Sequence, residues 1–169
     1  MTSRSSGSRR RRRPPLGASY DDALHRAYDQ IARRARSEAE IRRKLTQDGA
    51  EEPVVDRVVA RLHELRYLDD DAFARARARG LAARGFGPLA VASKLALAGV
   101  ASHRAKVGID EAFESERGLA RQALERRLRG RAIGDLERKE KERLLRWLAS
   151  RGFSSPAIRA AFEGSIDPD

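Results

Sequence analysis

The sequence predicts an all-α fold: a tandem array of three three-helix repeats, elongated and curved, preceded by a disordered basic N-terminal tail. The first observation behind this prediction is a motif in which a leucine is followed, four positions later, by a glycine that ends a helix. The motif occurs at Leu45 and Gly49, at Leu95 and Gly99, and at Leu148 and Gly152. The second observation is that no long segment of the sequence alternates apolar and polar residues, so almost no β structure is expected.

The residues around these glycines repeat as well. An aliphatic residue lies four positions before each leucine, and a large apolar residue lies ten positions after each glycine. These positions hold Ile41, Val91 and Leu144, and Val59, Ile109 and Phe162, respectively. The glycines are 50 and 53 residues apart, which is the length of a small helical unit with its loops. We therefore expect three units, each with its own apolar core, between a tail and a frayed C-terminus. The predicted boundaries are 1–19 for the tail, 20–67, 68–113 and 114–164 for the units, and 165–169 for the frayed end.

The first unit is predicted to contain three helices. Apolar residues at steps of three and four predict a helix over 20–36, for which Asp21 or Asp22 is placed as the cap. Ser37 begins the second helix, because its hydroxyl can accept hydrogen bonds from the amides of the first turn. The third helix follows Pro53, a residue suited to a first helical turn.

The second unit opens with three consecutive aspartates, Asp69 to Asp71. A calcium-binding loop would need further oxygen ligands and a glycine at fixed offsets, and the sequence has neither. Helix capping is the better interpretation, with Asp69 as the cap and the next two aspartates in the first turn. A second helix is predicted over 89–98. Ser102 is the expected cap of the third, in which an interior Gly108 is unfavourable.

The third unit follows the same plan. Apolar residues from Leu119 to Leu128 mark its first helix, and a basic loop bounded by two glycines follows. A helix over about 135–151 comes next. Ser154 or Ser155 then caps a short last helix with a proline in its first turn.

The chain of 169 residues has a net charge of +11, and 31 of its 36 basic residues are arginine. Such a charge favours a polyanion or an acidic protein as partner, although arginine could also simply stand in for lysine. Six arginines and no acidic residue fall within residues 1–20. This tail could bind nucleic acid loosely through counterion release or be a solvated extension, and the sequence leaves both interpretations open.

The sequence offers little of the chemistry that an enzyme needs. It has no cysteine, and its three histidines include no pair at the spacing that places two metal ligands on one helical face. Phosphate-binding glycine loops and nucleophile motifs are also absent, so we expect a non-enzymatic protein without metal or cofactor. No segment has the pattern of a signal peptide or a membrane span. Together with the lack of cysteine, this favours the cytoplasm.

Arginines are therefore the candidate binding residues. Two groups of them are candidates for contact with phosphates or with a carboxylate-rich protein surface. The candidates are Arg75, Arg79 and Arg84 in the second unit, and Arg126, Arg127, Arg129 and Arg131 in the third. Only Glu125 is near the second group in the sequence. Recognition of nucleobases is not expected, because aromatic residues are not interleaved with the basic ones.

Short motifs distributed over residues 20–164 occur in an order and spacing typical of one family. They are the segment 34–41, Lys44-Leu45 before Gly49, Leu68-Asp69-Asp70 with Phe73-Ala74, Gly87, Lys94-Leu95, Gly99-Val100 and the segment 148–153. In these features the chain resembles RecX, a family of bacterial regulatory proteins built from tandem three-helix repeats.

The resemblance implies a partner and an activity. It implies that the protein binds the RecA recombinase and lies in the groove of the RecA filament on single-stranded DNA. There it would inhibit filament extension, ATP hydrolysis, strand exchange and the SOS co-protease activity. The resemblance assigns no individual contact residue, and we expect a monomer that does not associate with membranes. The alternative is a general DNA-binding helical protein that makes sequence-independent phosphate contacts.

Overall fold

The computed structural model describes residues 19–163. In this range the chain forms nine α-helices and no β-strand, which confirms the predicted all-α fold. In chain order, α1 to α9 span Tyr20–Arg33, Glu38–Gln47, Glu52–Glu64, Asp70–Ala83, Pro88–Leu97, Ser102–Ala112, Glu116–Leu128, Arg138–Ser150 and Ser155–Glu163. Apart from Ser19, the predicted tail at 1–19 and the predicted frayed end at 165–169 lie outside the described residues.

The helices pack in three consecutive groups of three. The most extensive contacts between described helices are all made within α1–α3, within α4–α6 or within α7–α9. The pair with the largest contact is α4 and α6. There, a Cβ atom at Gly108 would lie 2.9 Å from the carbonyl carbon of Ala74. The glycine that weakens α6 as an isolated helix therefore lets it pack closely on α4.

The repeated leucine–glycine motif has the same geometry in all three units. Each leucine is at most 1% exposed, and each glycine has a positive φ, of 90° at Gly49, 77° at Gly99 and 85° at Gly152. In each unit the amide after the glycine donates a hydrogen bond to the leucine carbonyl, over 3.0 to 3.3 Å. These are Schellman C-caps, in which a glycine in the left-handed conformation closes the helix. The motif therefore marks the end of the middle helix of each unit.

Several details of the predicted helices differ from the structure, and α5 begins and ends one residue earlier than predicted. The first helix ends at Arg33, three residues early, and the aspartates proposed as its cap lie in its first turn, where they favour the positive end of the helix dipole. Ser102 is the first residue of α6 and not its cap. The helix α8 begins at Arg138, three residues later than predicted, because a capping box closes its N-terminus there. The predicted caps at Ser37, Asp69 and Ser154 are confirmed.

The described residues form two apolar cores. One contains Ile41 and Leu45 of the first unit together with Leu68, the first residue of the predicted second unit. The other is continuous through the second and third units and contains both Leu95 and Leu148. The prediction of a separate core in each unit is therefore wrong for the last two units, because they pack on each other where α5 meets α8.

A hydrogen bond and a close backbone contact join the first unit to the second. The Ser37 hydroxyl, at the start of α2, donates to the Ala98 carbonyl at the end of α5 over 2.5 Å. A Cβ atom at Gly99 would lie 2.3 Å from the Cβ atom of Ala39. The C-terminal end of α5 thus docks on the N-terminal end of α2. This places the negative end of one helix dipole beside the positive end of another, which is favourable.

Replacing Ser37 by alanine should cost more stability than the loss of an ordinary helix cap. Ser37 is fully buried, accepts a hydrogen bond from the Glu40 amide and donates one to Ala98. The alanine variant loses the cap, for about 1 kcal/mol. It also removes a donor from a buried carbonyl, for a further ~1–3 kcal/mol. The free energy of unfolding, measured in urea, should reflect both losses.

Ser115→Ala is the matched control for this change. Ser115 caps α7 by accepting a hydrogen bond from the Gly118 amide, but it is exposed. Its replacement should therefore cost only the cap, about 1 kcal/mol. Equal losses in the two variants would show that the hydrogen bond between the units contributes nothing to stability.

Candidate functional site

The second and third units meet end to end at α5 and α8. At the start of α5, the amides of Gly87 and Leu89 donate hydrogen bonds to the carbonyls of Arg151 and Gly152 over 2.8 and 3.1 Å. A Cβ atom at Gly87 would lie 2.3 Å from the Gly152 carbonyl oxygen. Because neither glycine has a side chain, the backbone before α5 packs directly on the end of α8. The side chains that flank this contact are thereby brought together.

Two aromatic rings lie beside this junction, and cations flank each of them. Phe86, in the turn before α5, has the Lys94 ammonium 4.9 Å and the Arg151 guanidinium 4.8 Å from its ring centre. Arg151 is also 5.3 Å from the ring centre of Trp147, which has Arg127 at 5.5 Å. These distances are typical of cation–π contacts. The five residues form a series in which cations and rings alternate, here called the cation–aromatic ladder.

Two more arginines extend this positive surface. Arg84 donates a hydrogen bond to the carbonyl one turn earlier in α4, over 3.2 Å, and Arg126 donates to the Ala83 carbonyl over 2.9 Å. Carbonyl groups at a helix C-terminus have partial negative charge, so these bonds hold both guanidinium groups in place. Together with Arg127 and Trp147, the two arginines line a cavity of about 230 Å³.

Carboxylates of the described residues do not neutralise this surface. Within residues 19–163, five of its cations have no carboxylate oxygen at ion-pair distance. They are Arg84, Lys94, Arg126, Arg127 and Arg151. By contrast, Arg138 at the other end of α8 is 3.1 Å from Glu142. Like charges that lie close together without counterions repel each other, so an anionic partner would relieve this repulsion.

Three of the seven predicted binding residues belong to this surface: Arg84, Arg126 and Arg127. Two others, Arg75 and Arg79, lie on the side of α4 that faces α6. Arg79 is 4.0 Å from a carboxylate oxygen of Glu111 in α6. Arg75 is half-buried, and its backbone amide adjoins Gly108. The structure therefore separates this pair from the other predicted residues.

The last two predicted residues, Arg129 and Arg131, follow α7. Arg129 is the exposed C-cap of that helix, with a φ of 52°. Arg131 donates two hydrogen bonds to the Glu140 carboxylate, over 3.0 and 3.1 Å, and these lower the pKa of Glu140 below its usual value. Glu125 is the only carboxylate near this group in the sequence, but the fold also brings Glu140 next to it. Glu125 is itself engaged, since it lies 2.9 Å from Arg121.

Four residues of the surface were missed by the sequence analysis: Phe86, Lys94, Trp147 and Arg151. Aromatic and basic residues are not interleaved along the chain, but the fold interleaves them in space at this junction. The fold creates this pattern by joining α5 to α8. One signal was available in the sequence, since Trp147 and Arg151 are four residues apart and so share one helical face.

A second cavity, of about 160 Å³, lies between α7, the loop that follows it and α8. We call it the α7–α8 cavity. Its apolar lining consists of Leu128, Leu136, Leu144 and Trp147, and its polar lining of Arg127, Arg131, Glu140 and Arg143. The first two leucines are buried, whereas Leu144 and Trp147 are half-buried and reach the surface.

Among the described residues 19–163, no helix combines the length and the apolar character that crossing a membrane requires. No cluster of three or more histidine, aspartate or glutamate side chains in this range is arranged to hold a metal ion.

Comparison with known proteins finds similar bacterial sequences. Residues 23–62 match the first three-helix domain of RecX, and residues 114–162 match the third. The regulatory protein RecX of Stenotrophomonas maltophilia is 34% identical over 146 residues, which cover 86% of this chain and 87% of that protein. The regulatory protein RecX of Halalkalibacterium halodurans is 31% identical over 149 residues, which cover 85% of this chain and 56% of that longer protein.

The fold is also similar to solved structures. The crystal structure of RecX from Lactobacillus salivarius matches with a TM-score of 0.73 at 18% sequence identity. The match covers 88% of this chain and 97% of the other. The arrangement of helices is thus shared over nearly the whole described chain.

Proposed function

Because the chain is a member of the RecX family of regulatory proteins, we propose that it binds the RecA recombinase and the filament that RecA forms on single-stranded DNA. Bound there, it inhibits filament extension and the activities that depend on the filament. These are ATP hydrolysis, strand exchange and the SOS co-protease activity. The protein acts as a cytoplasmic, non-enzymatic regulator.

The observation that supports this proposal most directly is the positive surface at the junction of two units, whose cations form no ion pair with a carboxylate of the described residues. The cation–aromatic ladder joins α5 of the second unit to α7 and α8 of the third. A nucleoprotein filament presents phosphates and acidic side chains at regular intervals. A surface that bridges two units can meet more than one of these charges at once, which strengthens binding beyond that of each contact alone.

The alternative function, general binding to DNA, also has a supporting observation. Cations that alternate with aromatic rings are typical of grooves that bind single-stranded nucleic acid without sequence preference. Such a protein would reduce RecA activity only by covering the DNA. The two functions therefore differ in the amount of protein that inhibition requires.

The test is ATP hydrolysis by RecA on single-stranded DNA. The proposal predicts that the chain suppresses hydrolysis at substoichiometric amounts relative to RecA. Suppression that begins only when the protein is abundant enough to coat the DNA would favour the alternative. No suppression at any amount would contradict both.

Replacing Arg127 by glutamate should weaken the inhibition of RecA on the order of tenfold, because the charge at one end of the ladder is reversed. The variant should remain folded, since Arg127 is exposed and its contact with Trp147 contributes only about 0.5–1 kcal/mol. The concentration for half-maximal suppression of RecA ATP hydrolysis measures the effect.

Two control variants make this prediction specific. Arg138→Glu changes the net charge equally, but the Arg138 side chain is 93% exposed and lies outside the ladder, so inhibition should be unchanged. Arg129→Glu tests an arginine that was predicted from the sequence but lies outside the ladder. If Arg129→Glu weakens inhibition and Arg127→Glu does not, the contact surface lies outside the ladder.

A further inference from the structure

The α7–α8 cavity has the size of one apolar side chain. Its volume is about 160 Å³, and an apolar cavity of about 150 Å³ in another protein admits a benzene molecule. Three leucines and Trp147 supply its apolar lining. A phenyl ring or a branched aliphatic side chain in this cavity would be largely removed from water, which favours binding.

The polar lining of the same cavity is mainly cationic. Within the described part of the chain, Arg127 and Arg143 have no carboxylate at ion-pair distance, and Arg131 is held by Glu140. Three arginines thus face a single glutamate. Carboxylates that flank an inserted side chain could form charge-assisted hydrogen bonds with these guanidinium groups.

We propose that the α7–α8 cavity binds an acidic peptide segment through one aromatic or branched aliphatic anchor residue. The anchor enters between the leucines and Trp147, and carboxylates next to it in the peptide bind Arg127, Arg131 and Arg143. A nucleobase fits this cavity less well. Because three leucines line its apolar side, part of the polar edge of a base would be buried there without a hydrogen-bond partner, which is unfavourable. The inference does not depend on the function proposed above, since it requires neither RecA nor DNA.

Trp147 provides a direct test, because it is the only tryptophan in the chain and lines the cavity. The probe is a synthetic peptide with one phenylalanine between two pairs of aspartates, acetylated and amidated at its ends. Added to the full-length protein, it should shift the Trp147 emission to shorter wavelength with a saturable dependence on concentration. A control peptide with alanine in place of the phenylalanine should require about 10–100-fold higher concentration, because it cannot fill the cavity.

The Glu140→Gln variant tests the role of the arginines. Glutamine removes the charge that holds Arg131 but can still accept the hydrogen bond from the Glu137 amide in the capping box. The phenylalanine peptide should therefore bind this variant about 2–5-fold more tightly, whereas Arg143→Gln should weaken binding by a similar factor. If a variant does not fold, the two peptides compared on the unmodified protein still decide the question.

Three results would overturn the inference. The first is the absence of a saturable shift, and the second is equal affinity for the phenylalanine and alanine peptides. The third is a similar shift caused by an oligothymidylate of the same charge, at lower concentration than the peptide, which would assign the cavity to nucleic acid. These results are separable from the proposed function. Failure to suppress RecA ATP hydrolysis leaves the peptide measurement intact, and failure to bind peptide leaves the RecA measurement intact.

Discussion

Replacing Gly152 by alanine should destabilise the protein by about 2–5 kcal/mol, for two separate reasons. Gly152 has a φ of 85°, a conformation that costs a residue with a side chain about 1–2 kcal/mol. In addition, a Cβ atom at this position would lie 2.3 Å from the Ala90 amide nitrogen. This nitrogen belongs to the backbone of α5 and cannot rotate away. The ends of α5 and α8 would have to separate, at a further cost of about 1–3 kcal/mol.

Gly130→Ala isolates the first of these costs. Gly130 has a φ of 89°, nearly that of Gly152, but no atom lies within 4 Å of a Cβ atom built there. Its replacement should therefore cost only about 1–2 kcal/mol. Urea denaturation followed by the fluorescence of Trp147 measures the free energy of unfolding of both variants. If the two variants lose the same stability, the close contact between α5 and α8 is not a source of stability.

The glycine C-caps, of which Gly152 is one, explain why the helical units could be predicted from the sequence. A Schellman C-cap needs a glycine at a fixed distance after a buried residue, so the leucine–glycine motif can be recognised in the sequence. The motifs at Leu45, Leu95 and Leu148 are confirmed as the ends of middle helices. Caps such as Asp69 were predicted for the same reason, since the capping side chain and its amide are only three residues apart.

The pattern of apolar cores could not be predicted in this way. Helical periodicity shows which face of a helix is buried but not which other helix covers it. Whether two neighbouring units share a core depends on how closely their backbones approach. At Gly87 and Gly152 the approach is closer than any side chain would allow. These glycines have no distinguishing mark in the sequence beyond their roles in a turn and a cap.

The candidate site was predicted only in part, because the sequence shows which residues are neighbours along one helix but not which segments meet in the fold. Arg126 and Arg127 are adjacent in the sequence, so their clustering on one helix is a local property. Phe86 and Lys94 belong to α5 and the turn before it, whereas Arg151 follows α8 and meets them only at the junction of the two helices. The carboxylate that pairs with Arg131 is also remote in the sequence. Contacts between segments thus decide which of the many arginines remain without a counterion.

Leu95→Ala is expected to reduce the free energy of unfolding by about 2–5 kcal/mol. The Leu95 side chain is fully buried and belongs to the core that the second and third units share. Its truncation removes apolar contacts and leaves a cavity that the surrounding helices can fill only in part. Because the core is continuous, the loss should appear in the transition reported by Trp147, although that residue lies in the third unit.

Leu97→Ala is the matched control on the same helix. The Leu97 side chain is 76% exposed, so its truncation should change stability by no more than about 0.5 kcal/mol. The two substitutions remove the same atoms two positions apart, and they differ only in the face of α5 that they occupy. A small effect of Leu95→Ala on the Trp147 transition, with a large effect on helix content elsewhere, would mean that the second and third units unfold independently. In that case the junction of α5 and α8 would not unite them, and the cation–aromatic ladder would lose the rigid base on which its geometry depends.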